Sequence, residues 1–256
     1  MNTSSTLFPE ESAIPEPFRI QAPLEVSEYL LDGRIERWEG EIQQVNSAIE
    51  TAVDGVYSPK HIGSCPVMDE AAGAAAVAST RAAWDNGMGL WPTMSVAERI
   101  KHVEDFTHRM IEVREEIVRL MVWEIGKPYN ECCVEFDRTV EYVRDTIDAL
   151  KDLDRASSRF VIESGIYAQV RRAPLGPTLC MGPYNYPLNE TFATLIPALL
   201  MGNPVIIKPP RHGKLLFAPL MEAFRDCFPA GVVNLIFGNR RLVKPILESG
   251  GVNVLA

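Results

Sequence analysis

The sequence has no apolar run near the ~18 residues needed to span a bilayer, which excludes an integral helical membrane protein. It has no excess of basic residues. At a net charge of -9 there is no basic face of the kind that phosphate backbones require, so nucleic acid is not an expected partner. There is no CxxC pair, and the five cysteines (Cys65, Cys132, Cys133, Cys180, Cys227) are odd in number and irregularly spaced, which argues against a disulfide framework or a zinc site. A reducing, cytoplasmic setting fits that usage. His61, His102 and His108 lack acidic or cysteine partners at ligand spacing, so no metal is expected. The glycine fingerprint GxGxxG is also missing, so a standard dinucleotide phosphate loop cannot be claimed. The opening MNTSSTLFPEESAIPEPF has neither a basic nor an apolar leader segment and predicts a mobile arm over 1–25.

What is present is an ordinary globular composition, 46% apolar and 23% charged over 256 residues, enough for a large core. Between 26 and 159, EYLLDGRIERW reads as a hairpin about Asp32-Gly33 within a stretch of short β-type segments from Glu28 to Glu50. DEAAGAAAVASTRAAW reads as a helix. The 35 residues from Met94 to Pro128 read as one long helix, opened by a Ser95/Glu98 capping box and closed by Gly126 and Pro128. NECCVEFDRTVEYVRDTIDALKDL continues with a further helix, and 160–173 reads as a hairpin turning at Gly165. From 174 to 256 the pattern becomes β-α-β-α-β-α-β with nearly all-apolar strands TLCM, PVIIK, GVVNLIF and NVLA. That is the pattern of a parallel sheet with crossover helices, giving an α/β fold.

In such sheets ligands lie beyond the carboxyl ends of the strands. The three loops there are GPYNYP, KPPRHG and FGNRR. Asn185, held between two prolines, either aims its amide as a donor at a developing oxyanion or caps the following helix. Lys208 suits a phosphate or a ribose hydroxyl, or snorkels at the sheet rim. Arg211, His212 and Lys214 add positive charge beside it. Arg240 and Arg241 extend that patch or are simply solvated. Arg138, flanked by Glu135, Asp137 and Glu141, reads by itself as an intrahelical ion-pair partner.

APLGPTLCMGPYNYPLNETFATLIPALLMGNPVIIKPPRHG, with EIGKP before it and FPAGVVNLIFG after it, resembles the cofactor-binding core of the aldehyde dehydrogenase superfamily. The resemblance runs from about Tyr29 to Ala256. The Asn-Tyr-Pro turn, KPP and Arg138-Thr139 are most similar to NADP-dependent, non-phosphorylating glyceraldehyde-3-phosphate dehydrogenases. The resemblance implies an aldehyde-dehydrogenase-type Rossmann-like sheet with N-terminal helices. It makes Asn185 the oxyanion-hole amide, and Arg138 and Tyr186 substrate contacts, with Arg138 on the phosphate. It makes Lys208 a contact of the adenosine ribose and its 2′-phosphate, and sets Met181, Pro183, Tyr184, Pro210, His212 and Gly238 around the cofactor. Many NAD-preferring members carry a glutamate where Arg211 stands, so NADP is expected, with NAD possible. The 160–173 hairpin resembles an oligomerisation arm, implying a homodimer or homotetramer.

The family's nucleophilic cysteine and general-base glutamate lie beyond the matched region, and no cysteine here sits in that motif. An apolar strand with an open edge as the last element implies a fragment of a chain about twice as long, lacking its catalytic domain. By itself this chain is expected to be inactive. The alternatives are an enzyme for another small aldehyde or semialdehyde, and a short non-catalytic nucleotide-binding protein.

Overall fold

The computed structural model describes residues 8–256. Its centre is a six-stranded sheet. β8 (Thr178–Cys180), β9 (Val205–Ile207), β10 (Val233–Leu235) and β11 (Val254–Leu255) are parallel. β2 (Glu28–Leu31) and β3 (Arg34–Arg37) complete the order β11-β8-β9-β10-β2-β3. β8, β9 and β10 are buried at every position, as unalternating apolar strands covered on both faces must be.

The hairpin expected at Asp32-Gly33 forms, and both residues take positive φ, 51° and 72°, the geometry its tight turn demands. Its place in the fold was not evident locally: β2 adds antiparallel to β10, pairing Leu30 with Leu235. Asn234, fully buried in β10, secures the junction. Its amide donates to Thr80 Oγ1 and the Gly231 carbonyl, and its Oδ1 accepts from the Asp32 and Ser79 donors. A buried amide with every donor and acceptor used carries no desolvation penalty and fixes one register.

The crossovers are helices. α1 (Glu70–Trp84) starts at Asp69, whose side chain accepts from Ala72 N. The stretch from Met94 to Pro128 is not one helix. It breaks at Val113 (φ −101°, ψ 16°) into α2 (Val96–Glu112) and α3 (Arg114–Ile125). The capping box and the left-handed Gly126 end form as expected. The bend has a packing cause: α2 lies on α5 (Asn189–Leu200) and α6 (Met221–Cys227), whereas α3 lies on the strand Ile42–Val53 and the segment 215–220. One straight rod could not follow both surfaces. α4 (Tyr129–Ser157) returns alongside α3 and α5. The crossover helix after β9 begins as a 3-10 turn at Leu215–Leu220, because Pro219 has no N–H for a regular ladder, and turns α-helical only in α6. α7 (Arg240–Glu248) closes the series against α1.

The sequence did not disclose the long hairpin of β4 (Ile42–Val53) and β5 (Val56–Pro66), which turns at Asp54-Gly55. β5 carries Pro59 and several small polar residues, so no alternation marks it. Of the arm expected over 1–25, residues 1–7 lie outside the described residues. From Phe8 on, the chain is laid against the body rather than standing free. β1 (Leu24–Glu25) pairs with β5, Ile14 is buried, and Trp123 Nε1 donates to the Phe18 carbonyl at 2.7 Å. Among the described residues, β6 (Val161–Glu163) and β7 (Ile166–Ala168) pair only with each other and are exposed along their whole length.

Candidate cofactor and substrate site

All three predicted loops follow the carboxyl ends of neighbouring strands: residues 181–188 follow β8, 208–214 follow β9, and 236–239 follow β10. They pack against one another. A Cβ on Gly213 would lie 2.6 Å from Pro187 Cβ, and the Tyr184 ring meets His212 edge-on at 6.5 Å. Gly182 is equally constrained, since a Cβ there would stand 2.0 Å from Thr191 Oγ1. That hydroxyl donates to the Pro187 carbonyl at 2.6 Å, folding the turn back on its own helix.

Two buried glutamates hold these loops. Glu135 of α4 accepts at Oε1 from Leu188 N (3.0 Å) and Asn189 N (3.2 Å), the first amides of α5. Its Oε2 takes Lys127 Nζ at 2.6 Å. Glu124 of α3 accepts from Lys214 N (3.0 Å) and Leu215 N (2.9 Å), where the 3-10 turn begins. Burial pushes the Glu124 carboxyl up from its ordinary value, against the opposing pull of those amides and Lys214. Neither glutamate was legible as a site residue: each sits inside a helical apolar pattern, and Glu135 reads there as an ion-pair partner for Arg138. In the fold Glu135 pairs with Lys127, Asp137 pairs with Arg114, and Arg138 forms no ion pair among the described residues.

The choice between the two roles of Asn185 turns on this arrangement. The start of α5 is capped by Glu135, and no side-chain cap comes from Asn185. The Asn185 side chain is exposed and makes no hydrogen bond among the described residues, while its carbonyl lies 3.4 Å from Lys127 Nζ. The same ammonium stands 3.7 Å from the centre of the Tyr186 ring. Arg138 is exposed on α4 beside Thr139, whose hydroxyl accepts from Asn189 Nδ2.

Lys208, Pro210, Arg211 and Gly238 come together around one cavity of about 500 Å³, joined by Lys214 and Arg240. Glu41 is the one carboxylate on its wall. Among the described residues none of the four cations is in an ion pair, and Lys214 Nζ instead donates to Gln43 Oε1. Burial, then Lys214, holds the Lys208 ammonium below the usual lysine range; burial, Arg211 and Lys214 lower His212. Met181, Pro183, Tyr184, Asn185, Tyr186 and His212 do not line this cavity. Unpaired cations at the mouth of a sheet, with an apolar floor of Pro209, Pro210 and Phe237, match the chemistry of a phosphorylated nucleotide.

Residues 46–256 match the profile described as "Aldehyde dehydrogenase family". The chain belongs to that family. It is 30% identical over 213 residues to an NADP-dependent glyceraldehyde-3-phosphate dehydrogenase of Streptococcus equinus, covering 78% of this chain and 43% of that protein. It is 32% identical over 165 residues to an N-succinylglutamate 5-semialdehyde dehydrogenase of Chromobacterium violaceum, covering 64% of this chain and 33% of that protein. The NADP complex of a glyceraldehyde-3-phosphate dehydrogenase from Bacillus halodurans superposes with a TM-score of 0.74 at 25% identity, over 92% of this chain and 48% of that one. The chain thus spans less than half the length of these relatives. An aldehyde dehydrogenase from Mycobacterium tuberculosis bound to NAD+ shares the fold at a TM-score of 0.76 and 21% identity, over 91% of this chain and 47% of that one.

Burial pushes the thiols of Cys65, Cys132 and Cys180 up to about 12, and raises Cys227 as well. Among the described residues no helix is long and apolar enough to cross a membrane.

Proposed function

We propose that this chain is the NADP-binding half of an aldehyde dehydrogenase that oxidises glyceraldehyde 3-phosphate to 3-phosphoglycerate without phosphate uptake. The observation that carries the cofactor reading is the cavity ringed by Lys208, Arg211, Lys214 and Arg240, in which no carboxylate faces a 2′-phosphate from the position of Arg211. Lys208 and Arg211 would grip the adenosine ribose and that phosphate through charge-assisted hydrogen bonds. Bound NADP would supply the hydride acceptor. The Asn185 amide would donate to the aldehyde oxygen, held there by the turn that Glu135 and Lys127 fasten. Tyr186 would border the substrate and Arg138 would meet its phosphate.

A semialdehyde substrate is a second reading, favoured by the 32% identity to the Chromobacterium enzyme. The exposed apolar residues of 160–173, such as Phe160, Ile162, Ile166 and Tyr167, favour a homodimer or homotetramer joined through that hairpin.

Titrating the 256-residue protein with NADPH and NADH by nucleotide fluorescence tests the cofactor reading. NADPH is expected to bind about tenfold or more tightly than NADH, the worth of one charge-assisted contact, and Arg211→Glu is expected to reverse the order. Equal affinities in both proteins would overturn it. In an active enzyme carrying this half, Arg138→Ala is expected to impair phosphorylated aldehydes selectively; unchanged glyceraldehyde 3-phosphate turnover would refute the phosphate assignment.

A further inference from the structure

At the other end of the sheet, where the chain enters β8, lies a second cavity of about 430 Å³ unconnected with the three loops. Its wall is cationic. Arg99, Arg171 and Arg172 face it, against the single carboxylate of Asp154, in a chain whose overall charge is -9. Leu150, Leu153 and Met201 give it an apolar side.

Arg99 is the unusual member. Its side chain is only 6% exposed, yet it is in no ion pair among the described residues. Burial lowers its basicity, and the distant charge of Asp154 opposes that only in second place. Two of its nitrogens are anchored on carbonyls: Nε donates to Leu200 O at 2.8 Å and Nη1 donates to Met94 O. Those anchors fix the plane of the guanidinium at the end of α5, a favourable place for a cation. The remaining nitrogen, Nη2, has no partner among the described residues and is not sealed from solvent, and Arg99 lines the cavity. Arg171 and Arg172 form neither ion pairs nor side-chain hydrogen bonds among the described residues. The hydroxyls around the cavity are already committed: Thr93, Ser157 and Ser158 each donate to a carbonyl of their own segment, and Ser95 donates to Glu98 Oε2. The side-chain donors left for a ligand are the guanidinium groups.

A fixed guanidinium with a spare edge, two exposed ones on the same wall and an apolar side fit one ligand chemistry. Bidentate guanidinium forks match the oxygens of a phosphate, and an apolar wall accepts a short carbon skeleton. We propose that this cavity is a second anion site, separate from the cofactor crevice, that takes a small phosphate monoester. Its occupant would bridge α2, the end of α4 and the segment leaving the exposed hairpin, which Gln169 already ties to the Ser157 carbonyl at 3.0 Å. The proposal does not depend on which aldehyde the family member oxidises.

The test is an amide-resolved NMR titration of the 256-residue protein with glycerol 2-phosphate at constant ionic strength, with glycerol as the uncharged control. Saturable shifts are expected at residues 93–99, 157–158 and 171–172. The exposed pair Arg171→Glu with Arg172→Glu, chosen because these residues support no core packing, is expected to weaken them about tenfold or more. Arg211→Glu, at the other crevice, is expected to leave them unchanged. Shifts confined to 208–214 and 238–241, or shifts at 93–99 that persist unweakened in the double variant, would overturn the proposal. So would shifts reproduced by glycerol.

Discussion

Glu124 and Glu135 stand on either side of the Gly126–Pro128 corner, and each accepts two backbone N–H groups from a different ligand loop. One corner between two helices therefore sets the positions of both the Asn185 turn and the Lys208–Lys214 loop. Each carboxylate also does at a helix start what a capping side chain ordinarily does, from another element.

Glu135→Gln should destabilise the protein by about 3 kcal/mol, because it strands the Lys127 ammonium, 13% exposed, beside a neutral amide. Urea unfolding should show a lower midpoint at an unchanged slope. Lys127→Met with Glu135→Gln should recover part of the loss, since no unpaired charge then remains.

Glu124 carries a pH signature of definite sign. Its carboxyl titrates higher in the folded protein than in the unfolded chain, so its contribution is fully present below the unfolded value of 4.5. It is lost as the pH rises through the folded value. Subtracting the pH profile of Glu124→Gln from that of the wild type should expose a decline beginning above pH 4.5. A flat difference would contradict the raised carboxyl.

Lys208 makes the opposite kind of prediction for binding. A phosphate is held by the charged ammonium, and burial has lowered that group below the ordinary 10.5. NADPH affinity should therefore begin to fall on the alkaline side before an ordinary lysine would titrate. Lys208→Arg should remove that decline while retaining binding at neutral pH.

Gly182→Ala should cost about 2 kcal/mol, typical of overpacking at a site that cannot expand. The new methyl would fall 2.0 Å from Thr191 Oγ1, which is itself committed to Pro187. A double-mutant cycle with Thr191→Ala, read by thermal unfolding, should return a coupling of opposite sign to the single costs.

The parallel sheet was legible because strands buried on both faces must be apolar throughout, and because Gly, Pro and Asn punctuate them. The Asp32-Gly33 turn and the Ser95 capping box were legible for the same local reason. The β4–β5 hairpin was not, since Pro59 and the polar residues of β5 erase the period-two signal. The break at Val113 was not either, because an apolar stripe cannot say which neighbour each turn of the helix will meet. For the site, the three loops and their cations followed from their places after the strands. The supports did not: Glu135 beside Arg138, or Glu124 beside Trp123, looks like any helical glutamate until a loop from far along the chain presents its amides.

The sequence by itself determined the parallel strands and the loops after them that carry Asn185, Lys208 and Arg211, because those depend on local backbone preference and side-chain apolarity. Only the tertiary structure decided that Lys127 pairs with Glu135 rather than Glu135 with Arg138, and that Asn185 is left uncommitted by the helix behind it. Only the tertiary structure gathered Arg99, Arg171 and Arg172 about one cavity. Charge pairing and capping act over a few ångströms between residues tens of positions apart, and only packing brings such residues within that range.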